Sequence, residues 1–92
     1  LTLGIESTTS DIALDGNEGT VLLDGSSNTV DATLPDATLY TGRVYTIKCI
    51  DASNACGIIA ADNLDGAGTK NLAANASVRV QSDGTTWWII AN

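Results

Sequence analysis

Asp-Gly occurs four times in the chain, at Asp15-Gly16, Asp24-Gly25, Asp65-Gly66 and Asp83-Gly84. Glycine adopts positive φ without steric cost, and an Asp side chain bonds nearby backbone N–H groups, so each pair is a turn signal. A chain of 92 residues interrupted this often has room only for short elements. The residues in between favour strands. Threonine occurs 12 times, whereas Glu and Lys, the usual helix-surface residues, number four together. Hydrophobic residues make up 43%, more than a solvated acidic tail carries. These features predict an all-β fold: a small antiparallel sandwich or barrel-like domain of about eight short strands.

The pattern along the chain locates those strands. Residues 12–14 and 20–23 flank an acidic loop and read as a first hairpin. Val30, Ala32 and Leu34 alternate with polar residues, giving a strand with one apolar face that Pro35 ends. Between residues 43 and 50, Tyr45, Ile47 and Cys49 form the cleaner apolar face, opposite Val44, Thr46, Lys48 and Ile50. With the turn at 51–54 and a return over 55–60, this reads as a second hairpin. Residues 62–68 read as a polar loop, 71–74 as a short strand or turn, and 77–81 as a strand with Val78 and Val80 inward. The last strand covers 86–91. No internal repeat of fixed period stands out. Residues 1–10, rich in Thr and Ser, are expected to be a connector from an upstream region, and 11–92 a single β-domain. The start of the chain has no basic and apolar leader pattern, so no signal peptide is expected there.

Charge narrows the function classes. Four Lys/Arg against eleven Asp/Glu leave a net charge of −7. Neutralising phosphates needs clustered cations, so neither a nucleic-acid partner nor an anionic membrane surface is expected. No apolar run reaches the ~18 residues of a membrane-spanning helix. Histidine is absent, which excludes His-based triads and His-metal sites within the chain. The acidic run Asp62-Asn63-Leu64-Asp65-Gly66 resembles a calcium loop superficially, but Leu64 takes a ligand position and the twelfth residue is Ala73. A glycosidase would need two carboxylates about 5–9.5 Å apart in a cleft, and the turns already account for nearly every Asp. No enzyme, metal or cofactor is expected.

Three groups of residues remain. Cys49 and Cys56 flank the 51–54 turn, and their spacing is compatible with a disulfide across a hairpin or with two small buried hydrophobes. Adjacent residues of a strand point to opposite faces, so one of Trp87 and Trp88 should face the core with Ile90 and the other should face outward. Ile89 makes the second face apolar too. Such a strand is expected to be covered by another copy of the chain, with carbohydrate stacking or packing within a monomer as alternatives. The candidate contact loops are 15–19, 51–54 and 62–68, represented by Asp15, Asn17, Glu18, Asp51, Asn54, Asp62 and Asp65. Tyr40, Arg43 and Tyr45 cluster at the Thr41-Gly42 turn, and no function is assigned to them.

From Val30 onward the motifs follow a recognisable order. Val30-Asp31-Ala32-Thr33-Leu34-Pro35-Asp36-Ala37 precedes Gly42-Arg43-Val44-Tyr45-Thr46-Ile47-Lys48. Asp51-Ala52-Ser53-Asn54, Leu64-Asp65-Gly66 and Ala76-Ser77-Val78-Arg79-Val80 follow, then Ser82-Asp83-Gly84-Thr85-Thr86-Trp87-Trp88-Ile89-Ile90. This succession resembles the small C-terminal β-domains of tailed-phage fibre, spike and head-fibre proteins over about two-thirds of the chain. The two cysteines depart from it. The resemblance implies a homotrimeric structural virion protein, a fibre, spike or capsid-decorating domain that displays a rigid knob. Its implied partners are itself, other virion proteins and a host cell-surface glycan, at the virion exterior. The alternative expectation is a carbohydrate-binding module of a secreted bacterial protein or adhesin, located extracellularly.

Overall fold

A computed structural model describes residues 4–15 and 18–91, with backbone alone at 18 and 61–63. The described chain is all-β, apart from one 3-10 turn at Ala37–Leu39. Its strands are β1 (Gly4–Thr8), β2 (Ile12–Ala13), β3 (Glu18–Asp24), β4 (Val30–Leu34), β5 (Val44–Asp51), β6 (Cys56–Leu64), β7 (Ala67–Leu72), β8 (Ser77–Ser82) and β9 (Trp87–Ala91). They form two packed sheets of mixed direction. The first runs β1-β3-β5-β8-β9 and the second β2-β4-β6-β7. The sheets meet at one parallel pair, Leu64 with Trp87, and do not close into a barrel.

The chain enters the two sheets alternately. β1, β3 and β5 lie side by side in parallel in the first sheet, and β2, β4 and β6 do the same in the second. Parallel neighbours need a crossover connection, and here each crossover is a strand of the opposite sheet. The result is a winding in which one coil contributes one strand to each layer. Thr20 pairs with Thr46, and Val30 with Cys56, an offset of 26 residues in both layers. Beyond the third coil the direction changes. β7 closes the second sheet antiparallel to β6, and β8 and β9 close the first as an antiparallel pair.

This corrects the expectation of an antiparallel sandwich built from hairpins. Neither 12–23 nor 43–60 is a hairpin, because β2 and β3, like β5 and β6, belong to different sheets. The reason lies in the turns. A two-residue hairpin turn requires positive φ, and none of residues 51–55 has it. Their backbone bonds instead to the coil beneath: the Gly25 N–H donates to the Asp51 carbonyl at 2.8 Å, and the Asn54 N–H to the Gly25 carbonyl at 2.8 Å. The offset between the second and third coils follows from this stacking; between the first and second it is shorter, with Ile5 beside Thr20 and Ile12 beside Ala32. The expected polar loop at 62–68 is instead the β6–β7 hairpin. Asp65 (φ 54°) and Gly66 (φ 85°) form its two-residue turn, the pattern favoured where strands twist right-handedly. Residues 4–8 of the expected connector are strand β1, paired with β3.

The core lies between the sheets. From the first come Val21, Leu23, Tyr45, Ile47, Cys49, Val78, Val80 and Trp87, and from the second Val30, Ala32, Leu34, Cys56, Ile58, Ala60, Leu64 and Leu72. The alternating apolar positions of β4, β5 and β8 therefore all point inward. Trp87 is fully buried, donates its indole N–H to the Pro35 carbonyl at 2.8 Å, and packs its ring 5.6 Å from that of Tyr45. The Tyr45 hydroxyl in turn donates to the Asp15 carbonyl. Ser82, the one buried polar side chain of the described core, bonds the Ala37 carbonyl at 2.7 Å and accepts the Gly84 N–H at 3.0 Å. Trp87, Tyr45 and Ser82 thus each bury their polar group with a partner, which removes the cost of its desolvation.

Candidate interaction face and turn rim

β9 is the strand on which the two tryptophans part. Trp87 and Ile89 face the core, and Trp88 and Ile90 face outward, 45% and 48% exposed. The expectation that Ile90 would accompany the buried Trp is thus corrected. A period of two puts 87 with 89, and the unbroken register from the 83–86 turn, which pairs Ser82 with Trp87 and Val80 with Ile89, sets them opposite inward residues of β8.

Trp88 is held rather than loose. Its indole N–H donates to Asp83 Oδ2 at 2.8 Å. Asp83 Oδ1 accepts the backbone N–H groups of Thr85 and Thr86 at 2.9 and 2.8 Å and the Thr85 hydroxyl at 3.0 Å. The Trp88 indole and these turn donors stabilise the charged form and hold the Asp83 carboxyl well below the usual carboxylate range. The turn itself needs Gly84, whose φ is 100°. Trp88, Ile90, Gln81 and Thr41 line a shallow groove of about 420 Å³ beside this turn.

The outward positions of the first sheet extend from there. β8 contributes Ser77, Arg79 and Gln81, alternating with buried Val78, Val80 and Ser82. β5 contributes Val44, Thr46, Lys48 and Ile50, the last 38% exposed. Register places Thr46 beside Arg79, Val44 beside Gln81, and Gln81 beside Trp88. Ile5 on β1, paired with Thr20, is 68% exposed on the same side.

Cys49 and Cys56 are joined by a disulfide with a Cα–Cα separation of 5.9 Å. It does not cross a hairpin. Cys49 ends the inward run of β5 and Cys56 opens β6, so the bond ties one sheet to the other beneath the 52–55 turn. Both residues are fully buried. Above them the turns stack. Asp24 accepts the Ser26 N–H at 3.0 Å, and Asp51 accepts the Ser53 N–H at 2.8 Å, the same local bond in successive coils. Bonds from the Ser53 backbone and side chain lower the Asp51 pKa. In the first coil Thr8 takes the corresponding place, accepting the Ser10 N–H at 3.2 Å, and Asp11, just before β2 on the same rim, accepts the Asp31 N–H at 3.0 Å. Asn54 adds a side-chain bond to the Gly25 carbonyl at 2.8 Å.

The structure therefore gathers Asp51 and Asn54 into this rim and puts Asp15 and Asp65 at the other ends of the strands. Asp65 Oδ1 accepts the Ile89 N–H at 2.8 Å, so it supports β9. Asn17 lies outside the described residues, as do the side chains of Glu18 and Asp62. Arg43 stacks on Tyr45, with Cζ 4.9 Å from the ring centroid. Among the described residues, no group of three His, Cys, Asp or Glu side chains is placed to hold a metal ion. Sequence reasoning missed Gln81 and Arg79 as neighbours of Trp88 and Lys48 as a member of the same face. Alternation turns each of them outward, but only the β5–β8–β9 register brings them together.

No protein-family model matches this chain, and neither a curated protein nor a solved structure matches it. No helix of the described residues is long and apolar enough to cross a membrane.

Proposed function

We propose that the chain is a structural, non-catalytic virion domain, a fibre, spike or capsid-decorating knob that assembles as a homotrimer. One observation carries this reading: Trp88 and Ile90 are large, exposed and adjacent on the outside of a sheet whose inner face already packs a complete core. Apolar surface of that kind beyond the needs of the core marks a contact with another molecule. The ordered motifs from Val30 to Ile90 support the same reading, since they resemble phage appendage domains. Rigid loops at the strand ends would then be available to contact a host surface glycan. Light scattering after size exclusion tests the assembly. A species of three chains is expected, and a folded monomer would overturn the trimeric knob.

A second reading rests on Trp88 alone. Its indole is fixed by Asp83 beside Gln81 and Thr41, so a flat aromatic surface borders polar side chains. Such a platform suits stacking on a sugar ring, as in a carbohydrate-binding module. Titrating the tryptophan fluorescence of a monomeric sample with glycans distinguishes the two, because saturable quenching belongs only to the second.

A further inference from the structure

The chain has a net charge of −7, yet its charges are unevenly placed. Among the described residues, the outward positions of β5, β8 and β9 carry Lys48 and Arg79, and the carboxylate at their border, Asp83, is engaged by the Trp88 indole and its own turn. Lys48 and Arg79 are two of the four cationic side chains in the sequence. They share that face with Ile50, Trp88 and Ile90, three exposed large apolar side chains. The rim of stacked turns is the opposite. Asp24 and Asp51 follow one another there in successive coils and Asp11 stands on the β2 side of the same rim, each engaging a backbone N–H through Oδ1. One face is thus apolar and cationic, and one rim of the same molecule is anionic.

We infer that the outer face of the first sheet is the seat of a second copy of this chain, which docks through its rim of stacked turns bearing Asp11, Asp24 and Asp51. The inference rests on the trimeric reading above and specifies its interface. The contact is heterologous: face and rim are different patches, so each copy offers one of each and receives one of each. Heterologous contacts close into a ring when the rotation between copies closes, and three copies satisfy every face and every rim. Charge complementarity supplies the choice of partner and the register. It also explains how a chain of net charge −7 associates with itself, because the contacting patches are opposite in sign.

The test is native mass against concentration, by light scattering, for the wild type and two variants. Lys48→Glu with Arg79→Glu reverses the face. Asp24→Asn with Asp51→Asn neutralises the rim while leaving an amide oxygen to accept the Ser26 and Ser53 N–H groups, so the turns persist. The buried Trp87 reports folding of each variant by its near-ultraviolet circular dichroism. We expect both variants to be folded and to dissociate at concentrations about tenfold or more above that of the wild type, the effect of losing close charge pairs at an interface. Sodium chloride at about 1 M should shift the wild type in the same direction. A wild-type trimer left intact by either variant overturns the face-to-rim contact but not the trimer. A folded wild-type monomer overturns both. A wild-type chain that instead binds a sulfated polysaccharide through Lys48 and Arg79, without self-association, assigns the face to an anionic glycan and overturns the proposal.

Discussion

Asp83 and Trp88 hold each other in place at the outer corner of the first sheet. The carboxylate takes the indole N–H at 2.8 Å on one oxygen and the Thr85 and Thr86 donors on the other. The turn that starts β9 and the aromatic that projects from it are therefore one unit. The ionised carboxylate serves the turn through one oxygen and Trp88 through the other.

This makes the unit sensitive to acid. The folded-state pKa of Asp83 is depressed from the usual 3.8, and that of Asp51 is lowered as well. A depressed carboxylate adds stability that is fully present above its unfolded pKa and is lost as pH falls through the folded value. The melting temperature should hold level from about pH 7 to pH 5 and fall progressively below that. Asp83→Asn should flatten the acid limb relative to the wild type and change the emission of Trp88. Thermal unfolding followed by fluorescence between neutral and acid pH checks both.

The Cys49–Cys56 bond joins the two sheets over a sequence separation of only seven residues. It restricts the unfolded chain less than a long loop would, and its expected contribution is ~2–3 kcal/mol. Urea unfolding with and without a reductant should show a lower midpoint for the reduced protein. Cys49→Ala with Cys56→Ala should lower it further, since it also removes buried volume from the core.

Gly25 is needed because coils approach there backbone to backbone. A Cβ at this position would lie 2.3 Å from the Asn54 carbonyl oxygen and 2.7 Å from that of Asp51. Neither atom is the end of a flexible side chain, so the stacked turns must separate. Gly25→Ala should cost about 1–3 kcal/mol, the range for forced overpacking. Gly68→Ala is the control, since nothing lies within 4 Å of its added Cβ. Chemical denaturation of the two variants side by side checks the difference.

Trp87 combines core volume with a directed bond. Trp87→Phe leaves the Pro35 carbonyl without its indole donor and should cost about 1–3 kcal/mol. Trp87→Ala should cost about 3–5 kcal/mol. The corresponding change at Trp88 should cost less than at Trp87, because 45% of that residue is already exposed and the directed bond it loses, to Asp83, lies at the surface. Comparing the two positions by urea unfolding separates the core role of one from the surface role of the other.

The inward faces were legible in the sequence. Val30-Ala32-Leu34, Tyr45-Ile47-Cys49 and Val78-Val80 alternate, and a period of two states which side of a strand is apolar. It does not state which sheet the strand joins. An alternating strand followed by a short turn and another strand describes a hairpin and a two-layer coil equally well. The deciding contacts, Gly25 with Asp51 and Asn54, lie 26 or more residues apart. The coil offset was hidden for a related reason. Thr20–Leu23 and Thr46–Cys49 share only the Thr, and Val30–Leu34 and Cys56–Ala60 share nothing, because the winding asks only for inward apolar side chains. At the candidate face, Trp88 was readable as one of two alternatives. The placing of Gln81 and Arg79 beside it, and of Lys48 on the same face, was not, since sheet register gathers them from separate strands.

The order of strands in space has a consequence for synthesis. β9 follows every other strand in sequence, yet in the sheet path it lies between β8 and β6 and supplies Trp87 to the middle of the core. A ribosome that has delivered the three parallel coils has delivered a layered chain with its central aromatic still missing. Until the residues after Thr86 emerge, Tyr45 and the Pro35 carbonyl face an empty place, and the two sheets have no strand connecting them. The strand made last among these nine therefore fills the middle of the structure and not an edge.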